Sequence, residues 1–87
     1  MHTISLPLSH RSNAMLRAVA ANRAEMTLSA EPDLRIDGLL CCDQATAREL
    51  AHAGLIRPAA PGLPRQWVRA VLTPDGHVAV RRTAPAA

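Results

Sequence analysis

Lysine, phenylalanine and tyrosine are missing from this chain, and tryptophan occurs once, at Trp67. Without large rings the core must be packed by Leu, Val, Ile, Met and many Ala. These side chains bury little area each, although they let helices approach closely. In 87 residues such a core leaves a thin stability margin, since a chain of this size buries only about 60% of its unfolded surface. Added stability from a partner or a second copy fits that margin. Long apolar runs are missing too, which excludes a membrane-spanning helix. The first ten residues lack a basic start followed by an apolar stretch, so they do not read as a secretory leader. Cysteine is limited to the adjacent pair Cys41 and Cys42. Neighbouring cysteines rarely bond to each other, and with no third cysteine a disulfide framework is disfavoured. The cytoplasm is the expected compartment.

What is present is a chain that is 48% hydrophobic, enough for one compact domain. Its ten basic residues are all arginine, the formal net charge is +3 and the pI is about 10.1. Arginine's planar fork suits phosphates and guanine edges. The same bias toward Arg and Ala also follows from GC-rich coding, so the charge permits nucleic-acid binding without demanding it.

Residues 1–11 hold Pro7, two His and two Ser and read as a flexible arm, within reach of a second start at Met15. Ser12 is a suitable N-cap for a helix over 13–25, where Gly and Pro are absent and Ala, Leu, Arg and Met dominate. Met15, Val19 and Met26 form its inward stripe, and Arg17, Ala21 and Ala24 face away. Residues 26–29 suit a short strand. Pro32 then breaks the chain, and Asp37-Gly38 between apolar residues signals a tight hairpin. Asp43 caps a second helix running to about Ala53, with Ala47, Leu50 and Ala51 inward and Gly54 ending it. Leu55, Ile56 and Arg57 begin an extended stretch. Pro58, Pro61, Gly62 and Pro64 impose a loop, and 66–72 reads as a strand with Trp67, Arg69 and Val71 on one side. Trp67 is expected to anchor the core, and Leu50, Leu55 and Val71 to be buried with it. Two readings stand for 77–82. Thr73 with Pro74 suits a helix start, whereas the alternation of Val78 and Val80 favours a strand after a Pro-Asp-Gly turn. Residues 83–87 read as a disordered tail.

The stretch from Asp43 to Arg57, a helix running into Ala53-Gly54-Leu55-Ile56-Arg57, resembles the recognition helix and exit of winged helix-turn-helix regulators of the MarR type. Val71-Leu72-Thr73-Pro74-Asp75-Gly76 resembles the second wing strand and its exit in the same families. The two pieces stand in the expected order and cover the second half of the chain. The resemblance implies an α+β fold, a small winged helix-turn-helix-like domain over 12–82 with a β-hairpin wing. It implies a transcriptional regulator reading duplex DNA. Gln44, Thr46 and Arg48 would reach base edges, and Arg57, Arg65, Gln66 and Arg69 would lie along phosphates or the minor groove. The chain departs from the pattern where such regulators place a preceding helix, because Pro32 and the Asp37-Gly38 turn stand there. Its final segment reads as short where such regulators end in a long dimerisation helix, and Glu49 would oppose phosphate.

Other chemistries find little footing. Zinc would need two ligands beyond Cys41 and Cys42, with His52 or His77 as the available helpers, and the usual two-residue spacing is missing. Buried thiols near a helix start are the simpler expectation. A Cys42–His52 pair lacks an orienting group and a deep cleft, so no enzyme is expected, and no cofactor or metal. The partners expected are duplex DNA, with a homodimer or a protein partner possible and no membrane. The alternative reading is a winged-helix protein–protein interaction module without DNA binding.

Overall fold

The computed structural model describes residues 9–83, with the side chain of Thr83 left aside. The expected arm therefore lies largely outside the described residues, as do residues 84–87 of the expected tail. The order of elements is α1 (His10–Ala20), β1 (Ala24–Thr27), β2 (Leu34–Ile36), β3 (Leu39–Leu40), α2 (Gln44–His52), β4 (Ile56–Pro58), β5 (Trp67–Leu72) and α3 (Pro74–Thr83). The fold of the described residues is α+β: three helices and one antiparallel sheet of order β3-β2-β1-β5-β4.

Helix α1 begins three residues earlier than the composition suggests. Ser9, not Ser12, is the N-cap, and its hydroxyl accepts the Ser12 N–H at 3.1 Å. Ser12 is buried inside the helix instead. The far end also comes early, because Asn22 adopts φ 62° and releases the chain into β1. Ala24 is consequently a buried strand residue rather than an outward helical one. The Asp37-Gly38 turn forms as expected. Both residues have positive φ, 53° and 81°, the signature of a type I′ hairpin turn, and Gly takes the second position at no steric cost. Arg23 clasps the Asp37 carboxylate at 2.6 Å and holds it below its ordinary pKa.

Asp43 caps α2, accepting the Thr46 N–H at 3.0 Å and the Thr46 hydroxyl at 2.6 Å. Gly54, at φ 76°, ends that helix in the left-handed conformation that a side chain would resist. The open question at 77–82 resolves as helix. Thr73 accepts the Gly76 N–H on its hydroxyl and the His77 N–H on its carbonyl. Pro74 then takes the first helical position, where its missing N–H costs nothing. Cap, Pro and Asp75 in the first turn outweigh the weak strand preference of Val78 and Val80.

All three helices cover one face of the sheet. Met15, Leu16 and Val19 of α1 and Ala47 and Leu50 of α2 meet the inward strand residues Ala24, Met26, Leu34, Ile56, Ala70 and Leu72. Leu55 is buried among them, and Ala79 and Val80 of α3 close the side. The expected stripe of Met15 and Val19 is there, with Met26 joining from β1. Trp67 and Val71 are corrected. Alternation places them with Arg69 on the opposite face of β5, so both are half-buried and outside the core. Ala70 and Leu72 take the inward positions.

Candidate nucleic-acid interface

The face that no helix among the described residues covers is built by strand alternation alone. Arg35 of β2, Glu25 of β1 and Arg69 of β5 fall in one cross-strand row, with Leu40 of β3 at its end. Trp67 lies opposite Thr27, and Arg57 of β4 lies opposite Val71. Arg57 and Arg69 are thus diagonal neighbours, roughly 7–8 Å apart at Cα. Among the described strand residues, three arginines share this face with one carboxylate. Arg35 donates from Nε to Glu25 at 2.6 Å, and its guanidinium carbon sits 4.3 Å from the centroid of the Trp67 ring. That stacking explains how the lone aromatic tolerates the outer face: a cation roofs it.

The loop of residues 59–66 extends the face from the β4–β5 hairpin. Ala59 N–H donates to the Arg69 carbonyl at 2.8 Å. Further along, the Gln66 side chain accepts the Leu63 N–H at 2.9 Å and so folds the loop on itself. Arg65, at φ 67°, is exposed at its base, and Leu63 is exposed at its tip.

Helix α2 is a different kind of surface. The Gln44 amide accepts the Leu34 N–H and donates to the Leu34 and Cys41 carbonyls, each at 2.8 Å. It bridges strand to helix rather than facing outward. Thr46 spends its hydroxyl on Asp43. Arg48 is half-buried and reaches Asp33 at 2.7 Å. Of the expected base-reading trio, therefore, all three have polar groups engaged by other residues of the chain, Arg48 in a partly exposed ion pair. The exposed side of the helix carries Glu49 and His52, and His52 faces Glu31 at 3.3 Å. Glu31, Asp33 and Glu49 outnumber Arg48 on that side, an unfavourable field for phosphate.

The expected phosphate-facing residues fare differently. Arg57, Arg65 and Arg69 are exposed, and Gln66 lies beside Arg65 in the same loop. Arg35 joins them, a residue that sequence reasoning missed. The alternation Leu34-Arg35-Ile36 before a hairpin turn was the signal for it.

Near the start of α2, the Thr46 hydroxyl and N–H, assisted by Arg11 at 3.0 Å, hold the Asp43 carboxyl down at about 2. Cys41 is half-buried, and its thiol is pushed up by that burial and by Cys42 and Asp43 nearby. Cys42 is exposed, against the expectation of two buried thiols. Among the described residues no group of three His, Cys, Asp or Glu is placed to share a metal ion. No described helix is long and apolar enough to cross a membrane.

Comparison with protein-family models, with curated proteins and with solved structures finds no match to this chain.

Proposed function

We propose that this protein is a small duplex-DNA-binding domain of winged-helix type that grips the phosphate backbone with its open sheet face and its 59–66 loop. The observation that carries the reading is the concentration of Arg35, Arg57 and Arg69 on the face that the described helices leave open, with Arg65 in the adjoining loop and Glu25 as the one opposing charge among the described strand residues of that face. The order α2, β4, loop, β5, α3 supports the likeness to winged-helix regulators, the β4–β5 hairpin serving as the wing. The β2–β3 hairpin stands where those regulators have a helix. In this arrangement α2 is a structural strut, and the loop is the part that enters the minor groove. Such contacts position a protein on DNA more than they read its sequence.

A salt series with random duplex DNA tests it. Three phosphate contacts by Arg57, Arg65 and Arg69 give a log–log slope of about −2.7, or about 40-fold weaker binding between about 50 and 200 mM salt. Changing any one of the three to Ala flattens the slope by about one unit. Arg48→Ala and Glu49→Gln leave the slope unchanged, because α2 lies off the duplex. No salt-dependent affinity at low ionic strength refutes the proposal. The second reading, a protein-interaction module, is favoured by the exposed Leu63 at the loop tip.

A further inference from the structure

The two edges of the sheet are protected unequally. At one edge β4 carries Arg57 and Pro58, a charge and a residue without an N–H, and both discourage another strand from pairing there. At the other edge β3 carries Leu39 and Leu40, 74% and 66% exposed. Neither device is present. Cys41 N–H donates to the Leu34 carbonyl at 3.1 Å. Strand alternation then turns the N–H and C=O of Leu40 toward the open edge.

Beside this edge, on the helix-bearing side, lies an open hollow of about 340 Å³. Met15, Ala18, Ile36 and Cys41 line it, together with the ion-paired Arg11 and Asp43 and with Arg23, the partner of Asp37. Leu39 shares the face of its register partner Ile36, yet it does not fill the hollow of its own chain.

We infer that β3 is the pairing edge for a second copy of this chain, joined antiparallel about a twofold axis at Leu40. A strand paired antiparallel with itself satisfies both partners identically, which is the requirement of a closed dimer. With Leu40 opposite Leu40, each copy's Leu39 comes beside the other copy's Cys41, at the lining of the hollow. Charge does not oppose the pairing. The symmetry sets the turn end of one hairpin, with Arg23 and Asp37, against the exit end of the other, with Arg11 and Asp43. Each end holds one charge of each sign, so neither like-charge contact is forced. The axis runs perpendicular to the sheet, so both outer faces point the same way in one ten-stranded sheet. The dimer itself stands whether or not those faces bind DNA.

Sedimentation equilibrium of the full chain without nucleic acid tests the inference. At about 0.1 mM, a range in which modest interfaces assemble, the expected mass is twice the 9.3 kDa of the chain. Leu40→Lys sets two ammonium groups against each other at the axis and weakens association by about 100-fold or more, with the circular dichroism unchanged. Hydrogen exchange on the unaltered chain gives a readout independent of any variant. The Leu40 amide exchanges slowly at high concentration and quickly on dilution, because its acceptor belongs to the other copy. A single-chain mass at 0.1 mM overturns the inference, and so does a dimer whose Leu40 amide exchanges freely.

Discussion

Gln44→Ala separates the two roles that the start of α2 could play. In the structure the Gln44 amide makes three hydrogen bonds to backbone groups of Leu34 and Cys41. Leu34 is 1% exposed, so water cannot replace the acceptor that its N–H loses. At about 0.5–1.5 kcal/mol net for each bond, with the penalty for a buried unpaired donor at the upper end, the loss is about 2–4 kcal/mol. A domain of this length holds only about 4–13 kcal/mol in total. The thermal midpoint should fall by roughly 10–25 °C, read by circular dichroism. Gln44→Glu sharpens the test. Its carboxylate still accepts from Leu34 but faces two carbonyl oxygens, which raises its folded pKa above the unfolded value. Its stability relative to wild type is therefore better in acid, where the carboxyl can donate, and is lost as pH rises through the raised pKa. A variant Gln44→Ala that melts with the wild type, while losing affinity for DNA, would refute the strut and restore Gln44 as a surface reader.

Leu50→Ala removes a fully buried side chain between α2 and the sheet and should cost about 2–5 kcal/mol in a denaturant titration; an unchanged midpoint contradicts the packing described. Asp43→Ala should melt below the wild type at neutral pH. Because the folded pKa is lowered to about 2 from an ordinary 3.8, the carboxylate's contribution is fully present above about pH 4 and lost as pH falls through about 2, so the two melting curves should converge there. Iodoacetamide should label Cys42 well before Cys41, since one thiol is exposed and the other half-buried with a raised pKa. Equal rates would place both thiols in the open.

The parts of the fold that the sequence made legible are those where the backbone needs a special residue. Asp37-Gly38 adopts two positive φ angles, and few other pairs do so cheaply. Asp43 and Gly54 bound α2 for the same kind of reason. The start of α1 was harder, because Ser9 and Ser12 are equally good caps and only packing chooses between them. At α3 two local patterns compete: Val78 and Val80 alternate like strand residues, but the neighbouring sheet edge is β4, where Arg57 and Pro58 discourage pairing, while the Thr73-Pro74 cap acts within one turn. Trp67 shows a further limit. Alternation divides β5 into two faces but cannot say which one meets the helices. The larger side chain suggested the inner face, yet Ala70 and Leu72 are what the closely packed helices admit, and Arg35 from two strands away shelters the ring.

The candidate site shows the same limit at the level of function. Short polar side chains in the first turn of a helix are what a DNA-reading helix needs. They are also what a helix needs to satisfy its free N–H groups and to tie itself to the preceding strand. Gln44 and Thr46 fit both descriptions, and one chain's sequence contains nothing that distinguishes them. The distinction is made by Leu34 and Cys41, ten and three residues away, which leave backbone groups that Gln44 can reach. Arg57 and Arg69 on the strands are not tied up in this way. A guanidinium on the outer face of a sheet has no helix end to cap and, at Arg57 and Arg69, no carboxylate at salt-bridge distance among the described pairs. Their charge remains available to a ligand, which is why the DNA reading rests on strand residues rather than on the helix whose sequence first suggested it.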